Sequence, residues 1–212
     1  MSGPAVGRRA TLVRALQGVP GFDAPRPDRE QVVTPAEAAA DLLEEALARG
    51  DLRGRRVLDL GCGTGRLAIG AALLGARSVS AVDLDARAID VGRAAAHRLG
   101  LAIDWAVSAV ESGPLAPRSF DTVVMNPPFG AQRRGADRPF WDRALTEAGG
   151  AVYAFALRAS RTFIARRAVA ASARIESQRP VAWELPRTFP HHRRASAALA
   201  VDLWVIRIGD RS

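Results

Sequence analysis

Residues 56–65 read Arg-Val-Leu-Asp-Leu-Gly-Cys-Gly-Thr-Gly, and this stretch decides the fold. The apolar first half predicts a short buried strand, and the glycines predict a tight turn that lets the backbone approach a ligand. A helical pattern of apolar residues follows and stops at Gly75. Strand, glycine turn and helix in this order are typical of a nucleotide-binding unit.

Asp83 follows this unit where a ribose-binding carboxylate is expected. It ends the next predicted strand, 79–82, about twenty residues past the glycines. A dinucleotide-binding fingerprint would need a third glycine at position 66, which is Arg66. The glycines instead alternate behind an aspartate, a form that resembles motif I of the class I methyltransferases, which use S-adenosylmethionine (SAM). The candidate cofactor-binding residues of this unit are Asp59, Gly61, Cys62, Gly63, Gly65 and Asp83.

A second motif, Asn126-Pro127-Pro128-Phe129, follows the apolar run 120–125, which predicts a buried strand ended by the two prolines. Because ligands bind at the carboxyl ends of strands in open α/β sheets, we expect this motif at the ligand-binding edge. The Asn126 side chain and the Pro127 carbonyl offer two hydrogen-bond acceptors, and the Phe129 ring offers a face for stacking. This set suits a planar group that bears an NH2, and adenine is the first candidate. A simple strand-ending turn is the alternative interpretation.

The composition indicates a globular chain with a polyanionic partner. The 212 residues suffice for one domain, no apolar stretch reaches transmembrane length, and the first ten residues lack the apolar segment of a secretion signal. The single cysteine, Cys62, excludes internal disulfides and fits a cytoplasmic location. The net charge of +8 is carried by arginine, with no lysine. Arginine suits phosphate contacts, although a GC-rich genome would give the same bias.

We expect one domain over residues 11–212, behind a loose, basic segment at residues 1–10. Residues 11–50 form a helical lead-in, in which Thr34 and Pro35 predict the start of a helix. Gln31 and Thr34 precede this helix and could fold over a ligand, but capping alone would equally explain Thr34.

The order of the predicted elements is strand–helix alternation, which is typical of an α/β sheet. The expected fold is a single class I, Rossmann-like methyltransferase domain with a seven-stranded, mostly parallel sheet, helices on both faces and an antiparallel C-terminal strand. The remaining predicted strands cover residues 101–107, 151–157, 181–185 and 200–208.

Arginines near the second motif predict contacts to RNA. Arg133, Arg134 and Arg138 lie beside Phe140 and Trp141 in the sequence. Arginines interleaved with aromatic residues are typical of sites that bind single-stranded nucleic acid. An exposed loop without a ligand is the alternative interpretation.

A second basic segment contains His192, Arg193 and Arg194. We interpret it as a phosphate-contacting loop, and a simple exposed hairpin loop is the alternative. It does not predict a metal site, because carboxylates and cysteines at ligand spacing are missing around the two adjacent histidines.

Together these motifs resemble one family, the eukaryotic and archaeal methyltransferase-like enzymes that methylate adenine N6 in small-subunit ribosomal RNA. The resemblance runs from about Thr11 to Ile208. The segments that carry it are 30–31 with Thr34, 59–63, 69–70, 74–76, 83–85, 120–123, 125–130, 151–153, Phe189 with 192–194, and 201–203.

The resemblance implies SAM as the cofactor and N6-methyladenosine as the product. Asn126 to Phe129 would hold the adenine, and the residues contacting SAM would be Gln31, Thr34, Gly61, Gly63 and Asp83. Family members often place an acidic residue after the third strand, where this chain has Ala109. Either Ser108 or Glu111 would then take over the contact to the cofactor adenine, or cofactor binding would be weaker.

The resemblance also implies a protein partner, because eukaryotic members work with a small zinc-binding activator subunit that pairs along the sheet edge. In the class I strand order the third strand is an edge, and an exposed edge can accept a further strand. We expect docking at Leu101, Ile103 and Trp105.

The implied mechanism is direct in-line methyl transfer to an adenine flipped out of its stack. The Asn126 side-chain oxygen and the Pro127 carbonyl would accept hydrogen bonds from the NH2 group and stabilise the positive charge that develops on nitrogen. Phe129 would stack on the base.

Three other functions share part of this pattern. Enzymes that methylate a protein glutamine amide use the same two acceptors, but they usually have tyrosine where Phe129 stands and a separate helical domain, for which the 58 residues before Asp59 leave no room. DNA adenine methyltransferases normally need a target-recognition insertion. A ribosome-assembly factor with a vestigial SAM site is kept open by Ala109.

Overall fold

The structure, a computed structural model, describes residues 5–23, 25–26, 30–112, 117–130, 133–183 and 199–209. The strands are β1 (Arg56–Leu60), β2 (Ser78–Asp83), β3 (Asp104–Val107), β4 (Phe120–Met125), β5 (Ala148–Leu157), β6 (Ala173–Val181) and β7 (Val201–Ile208). The helices are α1 (Ala5–Gln17), α2 (Ala36–Ala48), α3 (Arg66–Leu73), α4 (Ala86–Arg98), α5 (Arg138–Glu147) and α6 (Arg161–Ala170), and a 3₁₀ turn, Arg158–Ser160, precedes α6.

The seven strands form one sheet in the order β3-β2-β1-β4-β5-β7-β6. Strands β3, β2, β1, β4 and β5 are parallel, and β7 is antiparallel to both β5 and β6. The strand order reverses between β1 and β4, which places the ligand crevice at their carboxyl ends. The predicted fold class is confirmed, and β3 is an edge strand as expected.

Successive side chains of the central strands point to opposite faces of the sheet and pack into two apolar layers, one on each face. Val57 and Val124 pack with helices α1, α2 and α3, whereas Leu58 and Val123 pack with α5 and α6. This two-sided burial explains why the parallel strands read as continuous apolar runs. Within the described part of the chain, no helix is both long and apolar enough to cross a membrane.

The strand predicted at 181–185 is wrong at residues 182–183, which are in no strand, and the strand that pairs with β7 is β6, Ala173–Val181. Residues 184 and 185 of the prediction lie outside the described residues. Strand β6 forms the other edge of the sheet and is only partly buried along its length. An edge strand held mainly by backbone hydrogen bonds needs no apolar run and tolerates Pro180, so the sequence pattern did not indicate it.

The prediction of a loose segment over residues 1–10 is wrong for residues 5–10, which belong to α1. Arg9 of this helix forms ion pairs with Glu37, Asp41 and Glu44 of α2. These partners lie about thirty residues away in the sequence, so local pattern analysis does not detect them.

Leu101, Ile103 and Trp105 do not form an exposed docking face, since all three are partly buried against the core. Strand β3 also begins only at Asp104, not at Leu101. The Trp105 ring lies so close to the backbone that a Cβ atom added to Gly65 would lie 2.4 Å from it and one added to Gly92 would lie 2.7 Å from it. Trp105 therefore fixes β3 to α4 and to the turn before α3.

Replacing Gly92 with alanine tests this packing. In an ordinary helix interior Gly→Ala stabilises by about 1 kcal/mol. Here the added Cβ would also lie 2.8 Å from the Thr64 carbonyl oxygen, which is backbone and cannot rotate away. We expect Gly92→Ala to lower the free energy of unfolding by roughly 1–3 kcal/mol in urea titrations. A stabilised variant would contradict the packing.

Candidate active site

A cleft of about 270 Å³ opens at the carboxyl ends of β1, β2 and β4. All predicted cofactor-binding residues except Gly65 line it, together with Pro128 of the second motif. These lining residues come from five separate segments of the chain: Gln31, Thr34, Asp59, Gly61, Cys62, Gly63, Asp83, Ser108 and Asn126. Gly65 begins α3 and faces Trp105 instead.

The glycine turn folds tightly against the end of β2. The backbone N–H groups of Gly61 and Cys62 both donate to the Val82 carbonyl, at 2.8 and 3.0 Å. Gly61 and Gly63 have backbone φ angles of 73° and 54°, which residues other than glycine rarely adopt. A Cβ at Gly61 would lie 2.5 Å from the Phe140 ring. Glycine is therefore required here by both backbone conformation and space.

Asp83 holds the turn together in this structure. Its two carboxylate oxygens accept hydrogen bonds from the backbone N–H groups of Gly63 and Asp85, both at 2.8 Å. Gln31 connects the lead-in to the same region, because its side-chain amide donates to the Asp85 carboxylate at 2.7 Å. Its side-chain oxygen accepts from the Arg26 N–H at 2.8 Å. Gln31 thus ties the lead-in to the region that follows β2.

Asp59 is a buried carboxylate with an unused acceptor. It is 1% exposed, and its Oδ2 accepts from the Ala68 N–H at 2.8 Å. Its Oδ1 has no hydrogen-bond partner among the described residues. Burial raises the pKa of Asp59 to about 7, against the lowering effect of the Ala68 hydrogen bond. A cationic group in the cleft would find an acceptor here.

Cys62 lines the same turn but does not offer a reactive thiolate. Burial raises the pKa of its thiol well above the ordinary value, and the nearby carboxylates of Asp59 and Asp83 act in the same direction. A protonated, buried thiol is a poor nucleophile. Cys62 therefore contributes shape to the cleft.

Asn126 presents an unpaired acceptor at the inner end of the cleft. Its side-chain amide nitrogen donates to the Thr34 hydroxyl at 3.0 Å. Its Oδ1 is buried and has no hydrogen-bond partner among the described residues. A buried amide oxygen without a partner is costly, so this position suits a ligand that carries an N–H donor.

Thr34 is not the cap of helix α2. The capping residue is Pro35, and within the described ranges no side chain caps the first turn. The Thr34 side chain is instead turned to Asn126, and the residue is 8% exposed. The two guanidinium NH2 groups of Arg66 donate to the backbone carbonyls of Thr34 at 2.6 Å and Val19 at 2.9 Å. Arg66 thereby holds the lead-in against the glycine turn.

The other members of the second motif surround Asn126. Pro127 is buried, and Pro128 lines the cleft. The half-buried Phe129 ring meets the Trp183 ring edge to face, with their centroids 5.5 Å apart. The Trp183 contact fixes the orientation of the Phe129 ring.

The loop after β3 carries the two residues that could replace the acidic residue expected at Ala109. Ser108 and Glu111 both line the cleft, as does Ala109. Arg143 of α5 fixes this loop by donating to the carbonyl oxygens of Val110 at 2.9 Å and Ser112 at 2.7 Å. The sequence analysis did not identify Arg143, because its contacts lie about thirty residues away in the chain.

Phe140 and Trp141 do not form an RNA entrance. Trp141 is fully buried in the core, and Phe140 packs against the glycine turn and lines the cleft. The spacing of Trp141, Ala144 and Leu145 on α5 is that of an inward helix face, which is the signal that the sequence analysis missed. Phe22 also lines the cleft, and no sequence signal indicated it.

The predicted RNA-binding residues divide into two groups. Arg133 and Arg134 are exposed, and Arg133 lies at the cleft. His192, Arg193 and Arg194 lie outside the described residues.

The model of the methyltransferase small domain family matches residues 35–152, which is more than half of the chain. The chain belongs to this family. The methyltransferase is 35% identical over 203 residues to the rRNA N(6)-adenosine-methyltransferase of Drosophila melanogaster, covering 93% of this chain and 95% of that protein. It is 34% identical over 195 residues to the rRNA N(6)-adenosine-methyltransferase of Danio rerio, and this match covers 90% of this chain and 94% of that protein.

The fold of this methyltransferase also matches a solved structure from Pyrococcus horikoshii, described as a candidate RNA methyltransferase. The TM-score is 0.86 at 34% sequence identity, and the match covers 96% of this chain and 98% of that one. The family resemblance inferred from the motifs is confirmed over nearly the whole chain.

The raised pKa of Asp59 predicts a pH-dependent stability of the unliganded protein. Because this pKa is about 7 in the folded state and 3.8 for an ordinary aspartate, the folded protein binds more protons between these pH values. The free energy of unfolding should therefore fall as the pH rises from about 4 to about 7. This loss of stability is on the order of a few kcal/mol. Asp59→Asn should reduce it, as measured by urea titrations at different pH values.

The matched control is Asp90→Asn, whose carboxylate lies on α4 and is 71% exposed. It should keep the pH profile of the unchanged protein. Parallel profiles for the unchanged protein and Asp59→Asn would show that Asp59 is not the titrating group.

Proposed function

We propose that this methyltransferase transfers a methyl group from SAM to N6 of an unpaired adenine in RNA, most specifically in small-subunit ribosomal RNA. The observation that carries the proposal is the buried Oδ1 of Asn126, which has no hydrogen-bond partner in the described part of the chain and lies at the cleft of about 270 Å³. The relatives from fly and fish, both described as rRNA N(6)-adenosine-methyltransferases over most of the chain, support RNA as the substrate.

The cleft residues fit SAM. The cofactor supplies a methyl group on a cationic sulfonium, together with an ammonium group and a ribose. Oδ1 of Asp59, which has no partner among the described residues, can accept a hydrogen bond from the ammonium group. Asp83 can accept hydrogen bonds from the ribose hydroxyls in place of the one that it now accepts from the Gly63 N–H. Gln31, Ser108 and the glycine turn complete the proposed contacts.

The acceptor side of the site would prepare the amine for attack. The adenine NH2 is a poor nucleophile, because its lone pair is delocalised into the ring. Hydrogen bonds to Asn126 Oδ1 and to the Pro127 carbonyl would draw this nitrogen towards tetrahedral geometry and stabilise the positive charge that develops on it. Phe129 would stack on the base, which contributes roughly 1–3 kcal/mol in single-strand binders.

Thr34 acts in this proposal as a positioning residue. An asparagine amide can present either its oxygen or its nitrogen to a ligand. The hydrogen bond from Asn126 Nδ2 to the Thr34 hydroxyl fixes the orientation in which the oxygen faces the amine. Arg66 supports this arrangement by holding the Thr34 backbone.

A protein glutamine amide is the second candidate substrate, because it carries an NH2 that the same two acceptors would bind. The Phe129 ring, held edge to face by the buried Trp183, offers an apolar face that favours stacking of a base over an amide. A vestigial site is less consistent with the positioned Asn126. We propose a cytoplasmic location, where ribosomal RNA and a reduced Cys62 are both expected.

We further propose that the zinc-binding activator subunit implied by the resemblance docks on β3. The basis is Val107, which is 55% exposed, and the outer edge of β3, to which no strand pairs among the described residues, rather than Ile103 and Trp105. Co-expression with such a subunit that yields only the free chain would contradict this proposal.

Substitutions of Thr34 separate positioning from cofactor binding. Thr34→Val keeps the shape but removes the hydroxyl, so we expect kcat to fall roughly tenfold to a hundredfold. The affinity for S-adenosylhomocysteine, measured by calorimetry, should change far less. Thr34→Ser retains the acceptor and should restore most of the rate. An equal loss of affinity and rate would assign Thr34 to cofactor binding instead.

The function itself is tested by incubating the chain with labelled SAM and unmodified small-subunit ribosomal RNA, followed by nucleoside analysis. We expect N6-methyladenosine, and we expect Asn126→Ala to lower the rate by roughly a hundredfold or more because one preformed acceptor is lost. S-adenosylhomocysteine binding should persist in this variant. Label in a protein glutamine and none in RNA would replace the proposal with the second candidate.

A further inference from the structure

The carboxyl end of β5 lies beside Asn126, on the side away from the cofactor cleft. Strands β4 and β5 are parallel neighbours, with Met125 paired to Ala154. The 3₁₀ turn Arg158–Ser160 and the start of α6 follow β5 directly. The carboxyl end of β5 and the turn after it therefore adjoin the proposed position of the target base.

A fully buried carboxylate organises two arginines at this edge. Asp202 of β7 is 0% exposed and accepts hydrogen bonds from Arg161 Nε at 2.7 Å and from Gln178 Nε2 at 2.8 Å. Arg158 Nε lies 3.8 Å from the other carboxylate oxygen. The side chains of Arg158 and Arg161 nevertheless remain 52% and 41% exposed.

This geometry leaves binding capacity on both arginines. An arginine that uses only Nε keeps two terminal NH2 groups, which form the fork that recognises phosphate. Anchoring Nε of Arg161 to the buried Asp202 carboxylate reduces the side-chain freedom that would otherwise be lost on binding. Both guanidinium groups offset the buried charge of Asp202, and both remain exposed enough for their terminal NH2 groups to meet a phosphate.

The basic surface continues from these arginines to the cleft. Arg133 and Arg134 are exposed beside the second motif, and Arg138 is exposed and lies over the Phe163 ring of α6, 5.4 Å from its centroid. The exposed Asp142 nearby is paired with Arg167 at 2.6 Å. Arg167 therefore offsets the negative charge of Asp142 on this basic surface.

We propose that Arg161, anchored by Asp202, and the neighbouring Arg158 bind phosphates of the RNA strand that flanks the target adenine. The inference rests on the proposed function, because it places RNA on the substrate side of Asn126. It adds two binding residues that the sequence motifs did not indicate. Together with Arg133 and Arg134, they define a path for the RNA backbone from the cleft to α6.

The test measures binding of the full chain to a fluorescent fragment of unmodified small-subunit ribosomal RNA over a range of salt concentrations. Arg158→Gln is the first variant. The second combines Arg161→Gln with Asp202→Asn, so that no buried charge loses its partner. Each should weaken RNA binding about three- to tenfold near physiological salt and reduce the slope of log K against log salt by roughly 0.7 per arginine.

The matched control is Arg77→Gln with Arg98→Gln, two exposed arginines at the opposite end of the sheet. This control should bind and methylate RNA like the unchanged chain. Loss of binding in the control equal to that in the two test variants would overturn the proposal, because it would indicate a general effect of net charge. Unchanged binding in both test variants would also overturn it.

Failure of this inference is distinguishable from failure of the proposed function. Arg158→Gln should raise the KM for RNA more than it lowers kcat, whereas Asn126→Ala should lower kcat. If the unchanged chain forms N6-methyladenosine and the arginine variants bind RNA normally, only the phosphate path is wrong. If the second variant does not fold, Arg158→Gln alone decides the question.

Discussion

The hydrogen bond between Asn126 Nδ2 and the Thr34 hydroxyl is the interaction on which the site depends. It joins the lead-in to the end of β4 across 92 residues of chain, and it leaves Asn126 Oδ1 buried with no hydrogen-bond partner among the residues that the structure describes. The lead-in reaches this position because Arg66 and Gln31 tie it to the glycine turn and to the region after β2. The orientation of one amide therefore requires the correct packing of three segments.

The strand order divides the site into two halves. In the proposed arrangement the carboxyl ends of β1 and β2 form the cofactor side, with the acceptors of Asp59 and Asp83, while the carboxyl ends of β4 and β5 form the substrate side. Asn126 would then lie at the boundary, where a methyl donor and an acceptor amine must meet in line. Acidic groups would face the cationic cofactor and arginines would border the path proposed for the RNA, so charge would also separate the two halves.

Sequence analysis identified the parts of the fold and site that local patterns encode. Strands β1 and β4 were predicted with their observed bounds, because each is an apolar run ended by glycine or proline. Contacts between distant segments were not predictable: Phe22 and Arg143 act on the cleft from far along the chain. Trp105 was expected to face a partner, but it fills the space above two glycines, and no local pattern distinguishes these alternatives.

The most direct measurement is a crystal structure of the chain with S-adenosylhomocysteine and an adenosine-containing oligonucleotide. The account predicts that adenine N6 lies about 2.8–3.2 Å from both Asn126 Oδ1 and the Pro127 carbonyl oxygen, while Asn126 Nδ2 keeps its bond to Thr34. An amide turned so that Nδ2 faces the base would contradict the account. So would an adenine bound away from Asn126 while the cofactor occupies the cleft.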